Sequence, residues 1–260
     1  MALSSESGRQ DWDAYWEGYA ASAALNPAQA YRRKLVFDHL AIERDAAPRV
    51  LDLGSGTGDL AWQVAMALPR AEICGVDLSE SAVKIAARKV PRARFFQQDF
   101  TRTIDPADDR LAPLRGWATH AVCSEVLEHV DDPVAVLRNV RPLLAPGCKV
   151  LVTVPGGPMS AFDRHIGHRA HFDRGRLGRT LKAAGLRVEA VRGAGFPFFN
   201  VYRMVVIARG ERLVADAEGA EGDLPLLARA VMRGFSWLFS MNDDAGTLGW
   251  QLVAVASEPG

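Results

Sequence analysis

The sequence predicts an α/β fold, a parallel sheet with helices on both faces. Three observations carry this. Short apolar runs of strand length alternate with helical-period segments from residue 49 to residue 191. The first run enters a glycine turn, Gly54-Ser55-Gly56-Thr57-Gly58, and a helical pattern follows at once, as in a βα unit. The chain of 260 residues is 48% hydrophobic with a mean hydropathy near zero, enough for a sizeable core.

The elements follow in order. Residues 1–10 are polar, without an apolar signal segment, and are expected to be disordered. Trp12, Tyr15, Trp16 and Tyr19 fall at helical spacing within 11–24. Asn26-Pro27 supplies an N-cap and a first-turn proline for a helix to about residue 43. Strands are expected at 49–53, 72–76, 93–97, 119–123, 148–154, 186–191 and 248–256. Helices are expected at 59–68, 79–90, 133–144 and 173–184, with Ser79, Asp132 and Asp173 as caps. Residues 101–116 read as irregular and 156–171 as a loop or insertion. Residues 196–241 carry arginines within apolar stretches and read as a helical insert, with 216–223 as a flexible surface loop. The expected organisation is one domain: a helical cap at 1–47, a core at 48–195, the insert at 196–247, and the last strand and tail at 248–260.

Lys+Arg and Asp+Glu both number 31, so nothing global draws the chain to nucleic acid or to an anionic membrane. Cys74, Cys123 and Cys148 are far apart in apolar surroundings and read as buried reduced thiols, which suits a cytoplasmic protein. No run of 18 apolar residues predicts a membrane span.

Glycines in the turn let backbone approach a ligand, and the following helix points free N–H groups and its positive end at it. Two acids accompany the turn. Asp77 ends the second strand, where a carboxylate can accept bonds from both hydroxyls of a ribose. Asp99 follows the third strand and can reach an adenine amino group, with Phe100 covering the ring. Together they converge on an adenosine. The dinucleotide fingerprint needs a third glycine where Asp59 stands, and no Gly-Lys-Ser/Thr follows the turn, so a pyrophosphate ligand is disfavoured.

The ordered set Val50-Leu51-Asp52-Leu53-Gly54-Ser55-Gly56-Thr57-Gly58, Gly75-Val76-Asp77-Leu78-Ser79, Gln98-Asp99-Phe100, Ser124-Glu125-Val126-Leu127-Glu128-His129-Val130 and Leu144-Ala145-Pro146-Gly147 resembles the class I S-adenosylmethionine-dependent methyltransferases. The similarity is to the ubiquinone-biosynthesis-like branch, type 11 or 23, and spans about residues 30–190. It implies a Rossmann-like sheet of seven strands, the last antiparallel. It implies S-adenosyl-L-methionine as methyl donor and S-adenosyl-L-homocysteine as product. The implied cofactor contacts are Asp52, Gly54, Ser55, Gly56, Asp77, Leu78, Asp99, Phe100, Ser124 and Glu125. Tyr15, in a lid over the pocket, and Arg32 or Arg33, at the methionine carboxylate, complete that set.

Methyl transfer asks mainly for in-line positioning and exclusion of water, and a hydroxyl acceptor gains from a general base. His129 has three readings: structural, a base near the methyl, or a metal ligand with Glu125 and Glu128. No metal is assigned. His165, His168 and His171 follow at spacing three in a glycine-interrupted block, Asp163 to Phe172, which resembles one seen in a subset of the same branch, some members of which belong to saccharide pathways. His129 and His168 are the candidate bases. Residues 164–192 hold seven Arg, one Lys, one Asp and one Glu, a solvated face or a wall for an anionic acceptor. The expected reaction is O-methylation of a small-molecule or saccharide-like acceptor. N-methylation, an RNA end, an NAD-type oxidoreductase and a non-catalytic binding protein are the rivals. The insert, with Arg229 and Arg233 on one face, roofs the pocket, forms a homodimer interface, or rests peripherally on a membrane.

Overall fold

The computed structural model describes residues 12–13, 15–16, 26–43, 47–104, 110–218 and 226–260. Residues 1–10, Tyr19 and residues 219–223 lie outside the described residues. In chain order the elements are α1 (Pro27–Leu40), β1 (Arg49–Leu53), α2 (Asp59–Ala67), β2 (Glu72–Asp77), α3 (Glu80–Lys89), β3 (Arg94–Gln97), β4 (Ala118–Ser124), α4 (Pro133–Val140), β5 (Leu144–Pro155), α5 (Ala161–His165), α6 (Arg174–Ala183), β6 (Arg187–Ala194), α7 (Phe198–Glu218), α8 (Leu226–Leu238) and β7 (Gln251–Ser257).

The seven strands lie in the order β3-β2-β1-β4-β5-β7-β6. β1 to β5 are parallel, and β7 runs antiparallel to both neighbours. Alternation along each strand divides the core between the two faces. Leu51, Leu53, Cys74, Val76, Cys123 and Val152 meet α4 and α6 through Leu137, Val140, Leu177 and Leu181. Val50, Ile73, Val122, Leu151 and Val253 face the other way, onto Leu35, Val36, Leu60 and Val64 of α1 and α2. All three cysteines are buried and free.

The insert folds back onto α1. Tyr31 stacks against Phe199 and Phe239 at centroid distances of 5.3 and 5.2 Å, and Tyr202 meets Phe235 at 5.3 Å. The Tyr31 hydroxyl donates to Asp244. Cap and insert thus share one aromatic layer. α7 kinks at Gly210, whose φ is +47°. The outer side of the insert exposes Val201, Met204, Val205, Val231, Trp237 and Met241. No helix among the described residues is long and apolar enough to cross a membrane.

Several boundaries differ from expectation. The helix expected to reach residue 144 ends at Val140, because Pro142 cannot continue it and Arg141–Leu143 tightens into a 3₁₀ turn. The expected loop at 156–171 contains α5. Ser160 and Asp163 start it with a capping box, a signal present in the sequence. Residues 216–218, expected in a loop, belong to α7. β7 begins at Gln251 rather than 248, because the backbone at Gly249 presses against Ala194 too closely for any side chain.

Candidate active site

Strand order reverses between β1 and β4, and in such sheets the crevice at the carboxyl ends of these strands takes the ligand. Gly54, Gly56 and Gly58 adopt φ of +69°, +49° and +77°, conformations that only glycine takes without strain. The Gly54 and Ser55 N–H groups donate to Val76 O at 2.8 and 3.1 Å, which pulls the turn against β2. Asp77 Oδ2 accepts the Gly56 N–H at 2.8 Å and Oδ1 the Ser79 N–H at 2.9 Å. Burial pushes the Asp77 carboxyl above its usual value, and those N–H groups pull it part of the way back.

Beneath the turn Asp52 is buried, and its Oδ2 has no hydrogen-bond partner among the described residues. Burial first, then Asp77 and Asp59, raises its pKa to about 7. Asp52 is therefore part of the floor under the turn. Ser55 Oγ is likewise buried and unpartnered among the described residues. Leu78 is exposed beside Asp77. Asp99 Oδ1 accepts the Thr101 N–H and hydroxyl at 2.9 and 2.5 Å. Phe100, expected to cover an adenine ring, instead turns into the core, because its position after β3 faces the layer shared with α4.

The aromatic segment before α1 crosses this crevice. Trp16 lies on the glycine turn, so close that a Cβ on Gly56 would stand 2.8 Å from its ring. Asp13 accepts from Ser79 Oγ at 2.5 Å and from the Ser81 N–H at 3.0 Å at the start of α3, which lowers its pKa. Tyr15 packs edge-on against Trp12 and Trp16, at 5.5 and 5.1 Å, and Trp12 meets the His129 ring at 4.8 Å.

Beyond β4 the site is built from side chains. Glu125 adopts φ +58°, unusual without glycine. Its Oε1 accepts from Thr153 Oγ1 at 3.0 Å and Gln251 Nε2 at 2.7 Å, and its Oε2 meets Arg32 Nε at 2.9 Å. Arg32 Nε also lies 3.0 Å from Gln251 Oε1, and Ser124 Oγ bonds Thr153 Oγ1 at 2.8 Å. Arg32, expected at a methionine carboxylate, is thus tied to Glu125 across the sheet end. Arg33 Nε is buried without a partner among the described residues.

His129 and His168, 39 sequence positions apart, come together edge to face at 4.7 Å. Burial pushes the His129 pKa down to about 4, and burial, then His129, pushes that of His168 far below its usual value. His168 Nδ1 lies 3.1 Å from His171 Nε2, and His171 Nδ1 lies 3.0 Å from Gly157 O. His165 stays apart, against Phe162. Under the pair lies Asp163, held bidentately by Arg203 from the insert at 3.0 and 2.7 Å and by Ser160 N and Oγ at 2.7 and 2.8 Å. Burial acts to raise the Asp163 carboxyl, but the Arg203 guanidinium and Ser160 outweigh it and hold it well below the usual range.

Glu128 is fully buried, and neither of its carboxylate oxygens has a hydrogen-bond partner among the described residues, His129 Nε2 lying 4.0 Å from Oε1. Burial, then Glu125, raises its pKa well above the usual value. His129 Nδ1 is unpartnered too. Glu128, His129 and His168 each offer a ligand atom, all within 4.8 Å of one another, and this donor set fits a divalent cation. Asp163, His168 and His171 make a similar group, but Asp163 is already taken by Arg203 and Ser160.

Sequence reasoning missed Asp13, Thr153, Gln251 and Arg203, and named Asp163 only as the start of the histidine block, with no role. Only Asp163, in its capping box, and Arg203, a cation inside an apolar helical stretch, left a signal. The basic excess of residues 164–192 does not gather into one wall: Arg174, Arg179 and Lys182 are exposed on α6, and Arg187 and Arg192 on the edge strand β6.

The methyltransferase domain family matches residues 51–150. The ubiquinone biosynthesis O-methyltransferase of Chromobacterium violaceum is 28% identical over 210 residues, 73% of this chain and 85% of that relative. Its counterpart from Thiobacillus denitrificans is 32% identical over 179 residues, 61% of this chain and 73% of that relative. Among solved structures, phosphoethanolamine N-methyltransferase 2 of Haemonchus contortus in complex with S-adenosyl-L-methionine aligns with a TM-score of 0.63 at 17% identity, over 97% of this chain and 61% of that one. The cyclase SpnF aligns at 0.56 and 19% identity, over 89% and 82%. Those two likenesses establish the fold alone, which serves more than one chemistry. With the relatives at 28–32% identity and the methyltransferase-domain match, the chain belongs to the class I S-adenosylmethionine-dependent methyltransferases, in the ubiquinone-biosynthesis-like branch.

Proposed function

We propose that this single-domain methyltransferase moves the methyl group of S-adenosylmethionine to an oxygen of a small hydroxylated molecule, with His168 as general base. The observation that carries the reading is the meeting of two histidines kept neutral by burial with the strand ends that flank the glycine turn. In the proposed step the acceptor oxygen forms the new bond to the methyl carbon as the carbon–sulfur bond breaks. The electron pair passes to sulfur, leaving S-adenosylhomocysteine, and the hydroxyl proton passes to His168. Asp77 and Asp99 take the ribose and adenine, with Leu78 beside the ring. Gly54, Ser55 and Gly56 pass under the methionine, and Asp52 backs the turn from below. Ser124 and Glu125 line the sulfonium side, Tyr15 and its neighbours exclude water, and Arg33 is better placed than Arg32 for the methionine carboxylate. His129, between Trp12 and His168, is the second candidate base.

Oxygen as the target is supported by the relatives, which are O-methyltransferases by name. An anionic or saccharide-linked acceptor has support from Arg164, within the histidine block, whereas Arg169 there is paired with Asp131. The apolar outer side of the insert is the face for contact with a second copy or with a membrane surface. A divalent cation held by Glu128, His129 and His168 would take the His168 lone pair and supply Lewis acidity toward the acceptor oxygen in place of the base, so chelator separates the two readings. The test is turnover with S-adenosylmethionine and a panel of hydroxylated acceptors, with and without chelator. Methylation lost in His168→Ala while homocysteine-product binding persists supports the reading. Unchanged turnover in both His168→Ala and His129→Ala sinks it.

A further inference from the structure

His171 takes no part in the reaction as proposed, yet its bonds have a direction that chemistry dictates. Gly157 O is a carbonyl and can only accept. His171 Nδ1, 3.0 Å away, must therefore carry the hydrogen. A neutral imidazole with hydrogen on Nδ1 has a bare Nε2, which can only accept. Its neighbour at 3.1 Å is His168 Nδ1, so that nitrogen must be the donor. His168 is then left with hydrogen on Nδ1 and a lone pair on Nε2, the nitrogen that remains for the side where His129 and Glu128 lie.

The origin of this chain is pinned. Gly157 adopts φ +71°, and a Cβ there would stand 2.7 Å from Trp250 Cδ2, so the Trp250 ring fixes the carbonyl's position. No competing acceptor among the described residues diverts the hydrogens. The Asp163 oxygens are 3.9 Å from His168 Nδ1 and 3.8 Å from His171 Nε2, beyond hydrogen-bond range, and they are taken up by Arg203 and Ser160. Two cationic rings would set two donors against each other across 3.1 Å; only a lone cation on His171 would reverse the second bond, and burial of that ring opposes it.

We propose that His171 is a positioning residue: it relays the direction of the Gly157 carbonyl to His168 and so presents the His168 Nε2 lone pair, unprotonated, to the acceptor side of the site. This deepens the reading of His168 given above and rests on it for its catalytic meaning. Its structural content, the tautomer of His168, stands separately. A hydroxyl acceptor needs that lone pair to take its proton, and the opposite tautomer would present an N–H there instead.

The test reads the tautomer directly. In apo protein labelled with ¹⁵N-histidine, long-range ¹⁵N–¹H correlation spectra should show both His168 and His171 protonated at Nδ1 and bare at Nε2. His171→Gln can keep both bonds, its amide N–H donating to Gly157 O and its carbonyl accepting from His168. It should keep the His168 tautomer and turnover within a few-fold. His171→Phe removes the acceptor. It should release the His168 tautomer and lower kcat about 10–100-fold, with S-adenosylhomocysteine affinity unchanged. An Nε2–H tautomer of His168 in the wild type overturns the proposal, as does a His171→Phe protein that keeps both the tautomer and kcat. If His171→Phe fails to fold, the wild-type spectrum still decides. If the tautomer is as stated but His168→Ala keeps full kcat, the base reading fails and the relay stands.

Discussion

The two ends of the site are made differently. At the glycine turn the chain presents mostly backbone: three left-handed glycines, N–H groups turned to Asp77, and a helix start behind them, all within 26 residues. At the histidine end it presents side chains drawn from Arg32, Glu125, Asp163, His168, Arg203 and Gln251, over a span of 219 positions. A backbone cradle needs few residue types, in a fixed local order. A side-chain network needs partners that tertiary folding alone brings together. The first end suits a ligand held mainly by backbone, the second a ligand read by side chains.

This contrast is broken most severely at the histidine end. His168→Ala should lower kcat about 10²–10⁴-fold while leaving S-adenosylhomocysteine binding unchanged in calorimetry. Equal loss of both would mean that the two ends are one unit. Arg203→Met leaves the buried Asp163 carboxylate without its counter-charge, on the Ser160 N–H and hydroxyl alone, and should cost about 3–5 kcal/mol in denaturant unfolding at pH 7. A carboxyl held low stabilises the fold only while ionised, so the wild type loses this contribution as pH falls below about 4. The gap between wild type and variant should close there.

At the other end the effects are smaller and of another kind. Asp77→Ala should weaken S-adenosylhomocysteine about 10–100-fold and remove most of its thermal shift, whereas NAD should give no shift in the wild type. A shift with NAD and none with S-adenosylhomocysteine would overturn the cofactor assignment. Asp52→Asn should be the mildest. With its carboxyl raised to about 7, Asp52 contributes stability that is complete below about pH 4 and is lost as pH rises through 7. The variant should therefore gain Tm over the wild type from pH 4 to 8, by about 2–4 °C for each kcal/mol recovered. A pH-independent difference would mean that Asp52 is ionised throughout.

Local order alone determined much of this protein. The strand–glycine–helix junction, the alternation of apolar residues along each strand, and the caps Asn26, Ser79, Asp132 and Asp173 depend on neighbours within a few positions, so the sheet and its cofactor end are legible in one dimension. Tertiary structure decided the rest. Arg32 pairs with Glu125 because α1 crosses the sheet end, and Phe100 turns inward to pack in the layer shared with α4. Arg203 reaches Asp163 only because the insert folds back on the tyrosine and phenylalanine layer around Tyr31. No spacing in the sequence encodes such pairings: each partner's position is set by the packing of whole helices, and the charges are satisfied only after that packing is complete.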